Sequence, residues 1–310
     1  MAFASSWAVI GTPVDFANGE PPFEIAPGYL LRPATAEEAA VIGDWLTVTF
    51  GRQGDGFRMA MELPADVKVT RAPLPPPPVG VYSIIQHDNN NVDADLRPAL
   101  TASSSDLHIL FEFLKPAGAY FSASEVASWI QGTMFSPTRP TPRLFTFDDA
   151  LDVRANYARV QAVRTSGAFP DIARTLQDLH LIKTLPSASP FRLLGMFAIV
   201  EALIIHDPVG DDDSLTRQLK TKLALLNRRF AQAIVVSDYF PGCDSLETVV
   251  TRLYRYRSSI AHGNAVDFGD GPLKIIGTSE SAQEFMYEMV RRVLRQALIE
   301  PQLVTDLKRC

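Results

Sequence analysis

The spacing of apolar residues changes character near position 142. Upstream of it, short apolar runs are broken by proline and glycine. Phe23-Glu24-Ile25 and Tyr29-Leu30-Leu31 flank a Pro27-Gly28 turn and predict paired short strands, and Val79 to Gln86 and Leu107 to Leu114 predict two more. Thr35 to Glu38 and Ser122 to Glu125 both have capping-box spacing, in which hydroxyl and carboxylate each take a free backbone N–H of the first turn. The first predicts a helix to about Phe50 and the second a short helix through Trp129. Pro75 to Pro78 form a stiff polyproline spacer. Residues 1–142 are therefore expected to form an α+β domain, with a sensing or regulatory role.

The stretch 136–143 holds prolines on both sides of Thr141 and excludes a continuous helix. Beyond it the period lengthens to that of amphipathic helices. Helices are predicted for Phe147 to Arg164, for Pro170 to Leu185, and from a Ser189-Pro190 start through His206. Three more follow: one capped by Asp213 with Leu215, Leu219, Leu223 and Leu226 on one side, one from Asp244-Ser-Leu-Glu247 to Gly263, and one from Ser281 to about Ile299. Six helical segments on short connections predict an all-α antiparallel bundle over 143–310.

Composition narrows the function classes. The most apolar segment, Leu193 to Ile205, is shorter than the ~20 residues a membrane span needs and contains Glu201. Met1 to Trp7 lacks the basic and apolar regions of a secretory signal. Cys243 and Cys310 make neither a disulfide framework nor a zinc site, so a reducing cytoplasm is the expected setting. The formal net charge of −6 is uneven: residues 1–150 carry a net −8 and residues 151–310 a net +2. A polyanion would be repelled by the first half and tolerated locally by the second. No glycine-rich phosphate loop, Cys/His cluster or nucleophile elbow is present, so no metal and no cofactor are expected.

The segment Leu253-Tyr-Arg-Tyr-Arg-Ser-Ser-Ile-Ala-His-Gly263 carries the most chemistry. Arg257 and His262 are separated by four residues near the end of a predicted helix. This spacing resembles the R-x4-6-H motif of HEPN domains, and the wording around it is most similar to the Apea-like branch, with Arg192 to Leu203 as the preceding core helix. The resemblance covers roughly residues 145–300. It implies a HEPN-like bundle, a metal-independent endoribonuclease and a homodimer that brings two Arg/His pairs into one cleft. It also implies an RNA substrate, a role in phage defence or stress response, and an antitoxin or regulatory partner. Such chemistry needs a proton-transfer group that titrates near neutrality, which histidine is, and a fixed bidentate cation on the phosphate, which arginine is.

Five residues of helix rotate by ~500°, so Arg257 and His262 lie ~140° apart and ~7.5 Å along the axis. Tyr254, Ser258 and His262 are expected to form one stripe that supports and orients the imidazole, with Arg257 reaching round from the side. Arg255 and Arg252 are candidate phosphate contacts. Glu201 interrupts an apolar helix and should pair with an arginine of the Leu246–His262 segment, Arg257 or Arg255. The alternative is a non-catalytic RNA- or nucleotide-binding module or dimerisation scaffold, in which Arg257 pairs with a carboxylate and His262 serves as a helix cap.

Overall fold

A computed structural model of the chain describes residues 5–11, 14–16, 21–45, 82–88, 92, 94–114, 119–121, 143–186, 189–208 and 213–310. The continuation of the first helix to Phe50, the prolines at 75–78, the helix through Trp129 and the boundary stretch up to 142 lie outside the described residues.

Strands β1 (Ser6–Ile10), β3 (Phe23–Ala26), β4 (Tyr29–Pro33), β5 (Ser83–His87), β6 (Ile109–Phe113) and β7 (Ala119–Phe121) form an antiparallel sheet in the order β3-β4-β5-β1-β6-β7. Gly28, at φ +77°, closes the β3–β4 hairpin, a backbone setting that a side chain would resist. Because side chains alternate across a strand, each central strand feeds two layers. Trp7, Val9, Ile84, Phe111 and Phe113 face one way, onto Ile42 and Trp45 of helix α1 (36–45). Ala8, Ile10, Ile85 and Ile109 face the other way, into the main core. The expected capping box starts α1: Thr35 Oγ1 accepts from the Glu38 N–H at 3.3 Å and Glu38 accepts from the Thr35 N–H at 2.8 Å. Burial disfavours the Glu38 charge, but Arg32 and the Thr35 N–H outweigh it and hold the carboxyl below its ordinary value.

A helical region follows: α2 (Leu96–Ala102) within the sheet segment, then α3 (Phe147–Ser166), α4 (Pro170–Lys183), α5 (Pro190–Ile204), α6 (Leu215–Arg229), α7 (Leu246–Ala261), α8 (Ser279–Ile299) and α9 (Pro301–Arg309). None of the described helices is long and apolar enough to cross a membrane. The apolar core is continuous from the sheet into these helices: Ile25, Leu31 and Ile85 join Phe145, Val153 and Tyr157, and through them Phe197, Leu253 and Phe285. A short parallel pairing of β2 (Val14–Phe16) with β8 (Arg143–Phe145) ties the first strands to the start of α3.

Three helix starts are shifted from those expected. Ser214, not Asp213, caps α6, because the Asp213 carboxylate lies 2.9 Å from His206 Nε2. Ser245, not Asp244, caps α7, and Thr278 caps α8 so that it begins at Ser279 rather than Ser281. In the first two cases adjacent residues are both able to cap, and in the third Thr278 and Ser281 stand three positions apart, with Thr278 accepting from the Ser281 N–H. Helices α2 and α9 carry no cap signal of their own and were not expected; α2 has no side-chain cap, and α9 starts at Pro301 directly after α8.

The turn that leads into β6 meets the helices at a buried polar cluster. Asp106, held at φ +44°, accepts from Tyr287 Oη at 3.0 Å and lies 3.4 Å from Arg291 Nε. Lys183 Nζ donates to Thr101 Oγ1 at 3.0 Å and to His108 Nδ1, whose Nε2 side faces Asp106 at 3.5 Å. An ammonium has only donors, so His108 is neutral at Nδ1. Burial lowers the His108 pKa, the Lys183 and Arg291 charges lower it further, and Asp106 only partly opposes them.

Unfolding returns the imidazole to an ordinary pKa near 6.5, so below that pH the unfolded chain binds more protons and folding stability falls with acidification. Urea midpoints measured from about pH 7.5 down to about pH 5 should decline for the wild type and decline less steeply for His108→Gln. Parallel slopes would show that the titration of His108 is not linked to folding.

Candidate functional site

Helix α7 presents the candidate residues because its apolar positions recur at helical spacing. Val249, Val250, Leu253 and Tyr256 are buried, Arg252, Tyr254, Arg257, Ser258 and Ser259 are half-buried, and Arg255 and His262 are exposed. Its C-terminus closes in a Schellman arrangement: the Gly263 N–H donates to Ile260 O at 3.1 Å and the Asn264 N–H to Ser259 O at 2.9 Å. Gly263 takes φ +67°, which a residue with a Cβ adopts at a cost. His262 is the cap residue itself, its N–H on Ser258 O at 3.1 Å. Among the described residues no side chain hydrogen-bonds its imidazole.

Arg257 turns the other way, toward α5. Its Nη2 donates to Glu201 Oε2 at 3.3 Å, and its guanidinium carbon lies 5.5 Å from the centre of the Tyr254 ring. Tyr254 stands edge-on to Phe197, one turn before Glu201 on α5, with ring centres 6.0 Å apart. The expected Glu201–Arg257 pair is therefore present, and the Tyr254 ring packs beside it. Glu201 Oε1 and Arg257 Nε are both buried without a hydrogen-bond partner. Burial raises the Glu201 pKa, with Arg257 pulling it back only in part. Burial also raises the Tyr254 hydroxyl, and the Glu201 charge adds to this.

Arg252, Arg255, Ser259 and His262 follow 3-4-3 spacing and so share the outward side of α7. Neither Arg252 nor Arg255 has a carboxylate within ion-pair distance among the described residues. The structure thus brings together Glu201, Tyr254 and Arg257 on one side, and Arg252, Arg255 and His262 on the other. Ser258 contributes its carbonyl to the cap, one turn before His262.

The Asp106, His108, Lys183, Tyr287 and Arg291 cluster was not anticipated, because its members come from three segments far apart in the chain. A second set, His206 with Asp213, Lys222 and Gln218, links the end of α5 to α6; Lys222 Nζ lies 3.1 Å from His206 Nδ1. Both sets bury their charges in mutual contacts. Among the described residues no three His, Cys, Asp or Glu side chains are grouped to hold a metal ion. Comparison with protein-family models, with curated proteins and with solved structures finds no match.

The ion pair should be energetically lopsided. Glu201→Gln keeps an acceptor for Arg257 and removes a partly buried charge, so it should change stability by less than about 1 kcal/mol. Arg257→Ala strands the carboxylate and should cost about 1–2 kcal/mol at neutral pH, less at acid pH where Glu201 protonates. Thermal melts of the two variants at two pH values check this; equal melting throughout would place the pair in solvent. Gly263→Ala should cost about 1 kcal/mol through its positive φ.

Proposed function

We propose that the chain is a metal-independent endoribonuclease of the HEPN type, acting as a homodimer, with Arg257 and His262 as its catalytic residues. The observation that carries the reading is the Arg257 guanidinium. It is fixed by one contact to Glu201 and by the Tyr254 ring, is about a third exposed, and has most of its five donors uncommitted. Five residues on, the helix ends at His262, whose backbone is held by the cap and whose imidazole is exposed.

In the proposed reaction His262 takes the proton of the ribose 2′-hydroxyl as its oxygen attacks the adjacent phosphorus, and the bond from phosphorus to the 5′-oxygen breaks. The leaving oxygen is protonated by the imidazolium of the second copy. The products are a 2′,3′-cyclic phosphate and a 5′-hydroxyl. Arg257 neutralises the negative charge that builds on the non-bridging oxygens, a role for which its planar fork is suited and an ammonium is not. Since Arg257 and His262 lie ~140° apart on one helix, a single copy surrounds a phosphate poorly. Two α7 ends facing across a two-fold axis supply both groups from both sides. Glu201 and Tyr254 are positioning residues for Arg257, and Arg252 and Arg255 hold flanking phosphates. The free thiols of Cys243 and Cys310 suit a reducing cytoplasm, where an RNase of this kind acts in phage defence or stress response and needs an antitoxin or regulatory partner to restrain it.

One observation favours a second reading, a non-catalytic module: Arg257 does pair with a carboxylate and His262 does sit at the cap position. Purified protein incubated with single-stranded RNA in EDTA separates the two. Cleavage to cyclic-phosphate ends is expected, falling ~10²–10⁴-fold in His262→Ala. Arg257→Lys should also fail and Ser258→Ala should matter less, while light scattering should report a dimer. Cleavage that survives loss of both Arg257 and His262, or none by the wild type, would leave the non-catalytic module.

A further inference from the structure

Helix α6 is unusual in its charge. It carries Arg217, Lys220, Lys222, Arg228 and Arg229 and no aspartate or glutamate. Lys222 turns inward, donating to Ile204 O at 3.0 Å and Gln218 Oε1 at 3.3 Å. The others lie outside the apolar stripe of Leu219, Leu223 and Leu226: Arg217, Arg228 and Arg229 are exposed and Lys220 is half-buried. Arg229 is held by Glu300, its Nε donating to Oε2 at 2.9 Å and its Nη2 to Oε1. Lys220 and Arg228 have no carboxylate within ion-pair distance among the described residues. Surface helices ordinarily balance such charges with acids three or four residues away, so uncompensated cations here raise the local potential.

Arg228 and Arg229 border a concavity, and Lys220 stands about two turns before Arg228 on the same helix. Thr221, Ala224, Leu225, Arg228 and Arg229 of α6, with Glu247 from the first turn of α7, line a groove of about 520 Å³. Small side chains at Thr221 and Ala224 leave room for a ligand, and Lys220 and Arg228 stand ~12 Å apart along the helix. That span suits successive charges of a linear polyanion better than a single ion. A membrane surface would favour a broad apolar face, whereas Leu225 is the one large apolar side chain of α6 that is markedly exposed. The helix that closes the groove at Glu247 continues through Arg252 and Arg255 to His262, ~22 Å further on.

We propose that this groove is the binding track for the sugar–phosphate backbone of single-stranded RNA, with Lys220 and Arg228 as its phosphate contacts, delivering the strand along α7 to the Arg257/His262 end. The identification of the polyanion as RNA rests on the endoribonuclease reading above. Guanidinium and ammonium groups on phosphates read no bases, so binding is tolerant of sequence and strongly dependent on salt.

The test uses the full chain carrying His262→Ala, so that RNA stays intact, and a labelled 12-nucleotide oligouridylate followed by anisotropy between about 50 and 200 mM salt. Adding Lys220→Glu and Arg228→Glu should weaken binding at least about tenfold, and the neutral pair Lys220→Ala and Arg228→Ala should flatten the log–log salt slope by about 1.4, the share of two phosphates. Both are surface changes, and unchanged melting shows that the fold is intact. With His262 restored, the charge-reversed protein should cut the 12-mer with a raised KM but cut a dinucleotide, too short to span the groove, as the wild type does. Unchanged affinity and slope would overturn the track, as would displacement of the RNA by polyglutamate at equal charge, which would assign the groove to an acidic protein. RNA binding that depends on Lys220 and Arg228 without cleavage of either substrate by the wild type would sink the nuclease reading and leave the track standing. Equal cleavage of both substrates by wild type and charge-reversed protein would do the reverse.

Discussion

The guanidinium of Arg291 joins the two parts of the molecule, and the terms on which it is buried govern the rest. Only 11% of its side chain is exposed, so its charge is tolerated only if its donors are met. They are: Nε donates to Thr101 O at 2.9 Å, Nη2 to Ser103 O at 2.5 Å and Nη1 to Glu288 Oε2 at 2.5 Å, with Asp106 beside them. The two carbonyls belong to the end of α2, which no side chain of α2 itself could satisfy, so a residue of α8 completes a helix embedded in the sheet segment. Asp106 keeps its charge despite burial because His108, Arg291 and Lys183 surround it. Loss of any member leaves a buried charge unpaired, which costs more than the pair contributes.

That junction sets α8 in place, and α8 carries the core against which α5 packs. Phe197 and Glu201 are then fixed on α5, and they define where Tyr254 and Arg257 of α7 come to rest. The contrast between the two arginines is instructive. Arg291 has its donors committed and a carboxylate on each side, as a structural cation must. Arg257 has a single 3.3 Å contact to a carboxylate whose own pKa is raised by burial, and it leaves Glu201 Oε1 and its own Nε without partners. A buried, unmet Nε is a poor solution for stability, and under the proposed reading the partly exposed Nη1 side of the fork is what an incoming anion would meet.

How much of this was legible depended on distance along the chain. Period-2 runs and the Pro27-Gly28 turn give the β3–β4 hairpin, and 3.6-residue spacing gives the helices from α3 to α8, because both patterns are local. The inward Glu201 and its arginine were readable from one acid in an apolar helix. The end of α7 was readable from Gly263. Cap identities at Asp213/Ser214 and Asp244/Ser245 were not, since adjacent residues compete and a remote histidine settles the first. Asp106, Lys183 and Tyr287 are unremarkable in their own segments, and only the fold makes them neighbours. The separation of Arg257 from His262 followed from a five-residue spacing, but that Tyr254 would side with Arg257 depended on where Phe197 lay.

The net +2 of residues 151–310 does not describe its local balance, because several acids of this half are committed to ion pairs. Asp152 is taken by Arg295, Asp171 by Lys308, Glu288 by Arg291 and Arg292, and Glu300 by Arg229. Three of those four acids pair with cations of α8 or α9, and Glu300, at the junction of those two helices, pairs with Arg229 at the very end of α6. Among the described residues Lys220 and Arg228 of α6 and Arg252 and Arg255 of α7 have no carboxylate within ion-pair distance, and the one acid in the groove lining is Glu247. Paired charges cancel within a few ångströms, so these four cations weigh on an approaching ligand more than their paired neighbours do. A chain that is acidic overall thereby keeps cations free of ion pairs on the described surfaces of α6 and α7, and under the proposed reading they mark the approach to the helix terminus that holds His262.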